Sequence, residues 1–143
     1  MADASTIGID IGTKDRSAIM LTDPPPAWVD VLTERQRQQD AEGWTPEHDD
    51  RHAGGQIAVA AGCYAMFASV SDEARSCTDL PGSLASLGKP IKGWAAWLQL
   101  WPWNRSWWKP TSRRRDLVKA GALILAEIER LDRAKAAKGN GGE

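Results

Sequence analysis

The chain has 143 residues, the length of one ordinary domain and enough to bury a core without disulfides or metal. Eighteen Lys and Arg against nineteen Asp and Glu give a net charge of -1, which excludes a strongly basic protein that holds duplex DNA by bulk charge. With 42% hydrophobic and 26% charged residues the chain is not disordered as a whole, and no apolar run reaches the roughly 18 residues of a membrane helix.

Along the chain, Ile7, Ile9 and Ile11 alternate with Gly8 and Asp10 at strand period, Gly12 to Asp15 can turn, and Ala18 to Leu21 can return. Residues 1–25 therefore read as a small β-hairpin followed by the stiff Pro24-Pro25-Pro26 breaker. The run Gly8 to Thr13 resembles the first phosphate hairpin of actin-like ATPases, but the second phosphate loop of that fold is missing and a plain hairpin is expected. A helix is predicted from about Ala27 to Asp40, its later half, Glu34 to Asp40, facing solvent, with Gly43 as its stop. Thr45-Pro46-Glu47 caps a short helix over 46–52. A helix over 56–70 places Ile57, Ala60, Ala61, Tyr64 and Phe67 on one face, and its alanines keep it slim enough for a close neighbour or a second copy of the chain.

Residues 71–90 read as a loop. Trp94, Trp97 and Trp101 fall on one face of a short helix that Pro102 ends, and an irregular Trp-rich connection leads to Pro110. The last helix, about 113–137 and roughly 37 Å long at 1.5 Å per residue, carries Leu117, Ile124, Ile128 and Leu131 as its core stripe, flanked by Val118 and Leu125. Residues 138–143 form a Gly-rich disordered tail. The expectation is a mainly α, small helical bundle over 26–137 with a short N-terminal β-hairpin.

Eight of the ten aromatics are Trp, and six of those lie between Trp94 and Trp108. Trp faces stack on bases and Lys or Arg pair with phosphates. Trp44, Trp103, Trp107 and Trp108 with Arg35, Arg105, Lys109, Arg113, Arg114 and Arg115 are thus the candidate ligand-binding set. Most Trp are expected to anchor core or loops, and one or two to line the site. Three arginines at a helix start oppose its dipole, which suits either a bound anion or neutralisation by Asp116, Glu127 or an acidic loop elsewhere. His48 and His52 stand four apart on one helix face, a spacing that could hold a metal with Asp49 and Asp50. Cys63 and Cys77 fit no CxxC pattern. Nothing at the N-terminus reads as an export signal, so thiols in a reducing cytoplasm are expected.

Two segments resemble a family of small phage and prophage accessory proteins: Glu34-Arg35-Gln36-Arg37-Gln38 with Glu42 to Asp50, and Trp101-Pro102-Trp103 with Trp107 to Pro110 and Arg114 to Asp132. At longer range the layout is similar to MazG-like all-α nucleotide pyrophosphohydrolases, which share an Arg-x-Arg-Gln opening, a central acidic helix and a final helix. That resemblance implies a MazG-like bundle in which clustered carboxylates hold Mg²⁺ and NTPs are hydrolysed to NMP and pyrophosphate. Here Gln56, Ile57, Ala58 and Val59 stand where a Glu-x-x-Glu pair is expected, and Lys119 stands where the final helix should bring its second acid after Asp116.

The sequence therefore points first to a protein that binds a nucleotide-derived ligand without cleaving it, sequestering a host signal. No cofactor is implied by that reading. The alternatives are an active Mg²⁺-dependent enzyme using Glu47, Asp49, Asp50 and Asp116, and a protein-binding module with exposed Trp. A homo-oligomer is expected; a membrane or duplex DNA partner is not.

Overall fold

The structure, a computed structural model, describes residues 6–10, 18–76 and 100–141. It is mainly helical. Strands β1 (Thr6–Asp10) and β2 (Ala18–Thr22) pair antiparallel, with Thr6 opposite Thr22 and Asp10 opposite Ala18; the connecting residues 11–17 lie outside the described part. Five α-helices follow among the described residues: α1 (Pro26–Ala41), α2 (Pro46–Asp50), α3 (Gln56–Ser69), α4 (Asp72–Ser76) and α5 (Arg113–Gly141).

Local chemistry sets most of these bounds. Pro26 fills the first position of α1, where a missing N–H costs nothing. Gly43, with φ of +74°, lets the chain double back so that Trp44 N–H donates to Gln38 O at 3.0 Å. Thr45 caps α2, its hydroxyl accepting from His48 N–H. Over 72–76, where a loop was expected, Ser71 Oγ accepts from Ala74 N–H and starts α4. The last helix continues past the expected end at 137 to Gly141. Trp94 and Trp97, with the helix predicted for them, and Cys77 lie outside the described residues.

The longest helix, α5, is central: α3 packs along one side of it and α1 along another, with α2 beside its C-terminal half. The apolar core joins Ile57, Ala60, Ala61, Tyr64 and Phe67 of α3 to Ala120, Leu123 and Ala126 of α5, and is closed by Trp101 and Trp108 from the connection. All five α3 residues predicted from spacing are buried.

Two helices are turned the other way from their predicted faces. The polar half of α1 was expected in solvent, yet Glu34, Arg35 and Gln38 are buried while Trp28 and Leu32 are exposed. On α5 the predicted core stripe is outside: Leu117, Ile124, Ile128 and Leu131 are 52%, 48%, 50% and 52% exposed. Its buried face consists of Asp116, Val118, Lys119, Ala120, Ala122, Leu123, Ala126 and Arg130. Arginine–carboxylate pairing accounts for the inversion. Glu34 receives Arg37 and Arg115, Arg35 binds Asp49 and Glu129, and Asp116 binds Arg75. A charge that brings its own counter-charge can be buried where an unpaired one cannot.

Candidate functional site

An aromatic cleft of about 260 Å³ opens between the start of α2 and the connection before α5, lined by Trp44, His48, His52, Trp103, Asn104 and Trp107. Each wall has a local cause. The Gly43 turn presents Trp44, the Thr45 cap fixes α2 and with it His48, and a single 3-10 turn over Arg105–Trp107 sets Trp103 and Trp107 on either side of Asn104. Asn104 organises that turn. Its side-chain oxygen accepts from Ser106 N–H, and its backbone carbonyl accepts from Trp107 N–H and from the Trp101 indole at 3.1 Å.

The Trp44 ring lies 5.7 Å from Trp103 and 5.9 Å from Trp107, tilted 48° to each, and stacks on His48 at 6.3 Å. His52 meets the Trp103 face edge-on at 5.5 Å and His48 at 4.7 Å. Burial first, and then the neighbouring His48, hold the His52 imidazole below its ordinary value of 6.5, so the neutral ring is favoured. The indole N–H of Trp103 is buried with no acceptor among the described residues. No carboxylate lines the cleft.

The predicted metal ligands are placed differently. His48 Nδ1 lies 3.2 Å from Asp49 Oδ1, but the other oxygen of Asp49 is bound by Arg35 at 3.1 Å, and Asp50 is bound by Arg133 at 2.9 Å. Among the described residues no group of three or more His, Cys, Asp or Glu is arranged to hold a metal ion.

Arg113, Arg114 and Arg115 fan out from the start of α5. Arg113 donates to Ala68 O and Val70 O at the end of α3 and pairs with Asp72, Arg114 pairs with Asp30 at 2.7 Å, and Arg115 pairs with Glu34. The acids that meet these three cations, Asp72, Asp30 and Glu34, come from other helices and not from Asp116, Glu127 or an acidic loop. Arg114, Arg115 and Arg37 line a second, polar cleft of about 450 Å³ with Asp30, Glu34 and Ser112. Burial alone would push the Glu34 carboxyl up, but the guanidiniums of Arg37 and Arg115 bring it below the usual value of 4.5.

Between the clefts lies a narrow cavity of about 20 Å³. It shares Trp44 and Trp107 with the first and Glu34 and Arg37 with the second. Lys119 lines it, donating to Lys109 O; burial, then Arg115, lower its pKa. Tyr64, whose hydroxyl accepts from Lys109 N–H, is pushed up to about 12 by burial. The Lys109 ammonium stands 5.3 Å from the Trp107 ring and 3.9 Å from the largely buried Glu42, a long contact whose lysine end is exposed.

Of the ten predicted ligand residues, then, Trp44, Trp103 and Trp107 share the cleft, with Lys109 at its edge. Trp108 takes no part, being buried against Tyr64 and Phe67. Arg35 is committed to its ion pairs and Arg113 to the end of α3, while Arg105 lies in the 3-10 turn. Sequence reasoning missed Asn104, although an Asn just before a tight turn is a recognisable capping signal. It also missed His48 and His52 as aromatic walls. Comparison with family models, with curated proteins and with solved structures returns no match for this chain.

Proposed function

We propose that this protein is a binding module that takes a planar heteroaromatic ring, the base of a nucleotide-derived ligand, into the aromatic cleft without cleaving it. The observation that carries the reading is the wall of three Trp and two His around about 260 Å³ with no carboxylate among them. That volume suits one ring system rather than a large oligonucleotide. Stacking a base on an indole contributes about 1–3 kcal/mol. The Asn104 side-chain amide, which lines the cleft, supplies a hydrogen bond to ring atoms.

Lys109, at the cleft edge and loosely paired, is the cation for a first phosphate. Arg114, whose partner Asp30 is exposed, could be recruited further along at small cost. In the setting the phage-protein resemblance implies, such a site would sequester a host nucleotide signal. A MazG-like layout with an N-terminal hairpin belongs to the same proposal. Hydrolysis is the weaker reading because three of the four acids it would use, Asp49, Asp50 and Asp116, are held by Arg35, Arg133 and Arg75, which leaves only the exposed Glu47 without an arginine among the described ion pairs.

The test is calorimetric titration with nucleosides and nucleoside mono- and triphosphates, with Mg²⁺ and product analysis. Saturable binding of an intact nucleotide, weakened about tenfold or more by Trp103→Ala and less by Lys109→Ala, is expected. No binding of any base-containing ligand, or affinity unchanged in Trp103→Ala and Trp107→Ala, would overturn the reading.

A further inference from the structure

The polar groups of the aromatic cleft are fixed from behind by one buried guanidinium. Arg35 donates to the Trp44 carbonyl at 3.3 Å and to Oδ2 of Asp49 at 3.1 Å, and Glu129 holds it from α5 at 3.0 Å. Arg35 and Asp49 are 5% and 3% exposed, so neither side chain is in reach of a ligand. The second oxygen of Asp49 faces His48 Nδ1 at 3.2 Å. A carboxylate bound by a guanidinium only accepts, so in the neutral His48 ring the proton sits on Nδ1 and Nε2 keeps its lone pair. Among the described residues nothing bonds to that nitrogen, and His48 lines the cleft with a quarter of its side chain exposed. Asn104 lines the same cleft. Its Oδ1 accepts from Ser106 N–H at 2.9 Å, which leaves the Nδ2 hydrogens for a ligand. The walls thus carry one assigned acceptor and one assigned donor among their ring faces. No described residue bonds to the ring of His52, 4.7 Å from His48, so its tautomer can follow the ligand.

We infer that His48 Nε2 selects the ligand: the cleft takes a base whose edge carries both an N–H donor and a hydrogen-bond acceptor, the donor meeting His48 and the acceptor meeting Asn104. Arg35 acts at one remove, as the positioning residue that holds Asp49 and, through it, the His48 tautomer. This selectivity presupposes the base-binding reading and adds to it which edge groups the ring must carry. An edge without the N–H would take water from Nε2 and give no donor back, and an acceptor stripped in this way costs more than a made bond returns. Sites built to hydrogen-bond a substrate N–H reject analogues that lack it for that reason. With the proton on Nε2 instead, His48 and Asn104 would both donate, and the same base would meet two donors.

Calorimetric titration of the full chain with AMP, GMP, CMP and UMP tests the selection. The donor-free references are purine riboside monophosphate and pyrimidin-2-one riboside monophosphate, which add no bulk. At least one natural base should bind about tenfold or more tightly than its reference. His48→Phe keeps a ring against Trp44 and should bring the two affinities together, whereas His48→Gln, whose amide oxygen still accepts, should keep part of the difference. Nitrogen NMR of the wild type at mildly alkaline pH should show the His48 proton on Nδ1. Asp49→Asn, which turns its oxygen to Arg35 and its amide N–H to His48, should move that proton to Nε2. Natural and donor-free nucleotides that bind alike, a preference that survives His48→Phe intact, or a wild-type His48 proton on Nε2 overturns the selection and leaves the cleft a base site. No binding of any of these nucleotides overturns both.

Discussion

Glu34 is 2% exposed, with the guanidiniums of Arg37 and Arg115 on its carboxylate and the Gln38 amide donating to it at 3.3 Å. A carboxylate there survives only because its charge is answered on two sides. Removing the charge with Glu34→Gln takes this counter-ion from Arg115 and Arg37; both are partly solvated and Arg37 keeps Glu42, so about 1–3 kcal/mol of stability should be lost at neutral pH, measured by urea denaturation. The folded carboxyl titrates below its unfolded value of 4.5. Its contribution is therefore fully present above pH 4.5 and is lost as pH falls through the lowered folded value. The gap between wild type and Glu34→Gln should accordingly close on acidification below pH 4.5; a gap that stays constant would mean the charge is not what stabilises the site. Arg75 shows the same logic at the other end, donating to Phe67 O, Thr111 O and Asp116 and so joining α3, α4 and the start of α5. Asp116, fully buried, spends its second oxygen on Thr111 N–H. In the pyrophosphohydrolase resemblance Asp116 was the surviving acid of the final helix, but here it is a structural anion.

At the level of elements, α1 approaches α5 across Gly121, where a Cβ would meet the Val31 methyl groups at 3.2 and 3.3 Å. That contact is tight but falls on a side chain. Gly121→Ala should therefore be near neutral, the strain offset by a gain of about 1 kcal/mol in helix propensity. Gly121→Leu has no room beneath Val31 and should cost about 1–3 kcal/mol by thermal denaturation. If Leu is tolerated as well as Ala, the α1–α5 approach is looser than this geometry requires. The face inversion of α5 has a related origin. Its inward positions are filled by Ala120, Ala122 and Ala126, small residues that let neighbouring helices come close, together with Leu123 and the paired charges. Leu and Ile periodicity marks an apolar face, and on α5 that face lies outward, away from the packing with α1 and α3.

For the whole molecule, the aromatic cleft draws on segments far apart in the chain: the turn after α1, the short helix α2, and the connection that enters α5. A ligand seated there ties these segments together and binds only the folded state. At a free concentration a hundred times its dissociation constant, a nucleotide should stabilise the fold by about 2.7 kcal/mol, seen as a rise in melting temperature. Trp107→Ala should reduce that rise, measured against the variant's own unliganded melt, because the truncation also removes the ring's packing on Trp44. A nucleotide-independent melting temperature in the wild type would count against the cleft as a ligand site.

The sequence alone determined the mainly helical class, the start of α1 at the prolines, the Gly43 stop, the Thr45 cap and the buried face of α3. Each depends on neighbours within a turn or two, through a fixed φ, a capping oxygen or an uninterrupted apolar period. It also put Trp103 and Trp107 forward, because the indoles between Trp94 and Trp108 stand out by composition, but with them it named Trp108, which does not line the cleft. Only the tertiary structure decided which arginine meets which acid. Glu34 with Arg115, Arg35 with Glu129 and Arg75 with Asp116 are joined across 81, 94 and 41 positions of chain. A charged residue reads as solvent-facing until its counter-charge is known, and nothing local identifies a partner that far away. The inverted faces of α1 and α5, the separation of the arginines from the aromatic cleft and the burial of Trp108 all follow from those long-range pairings and from packing around α5.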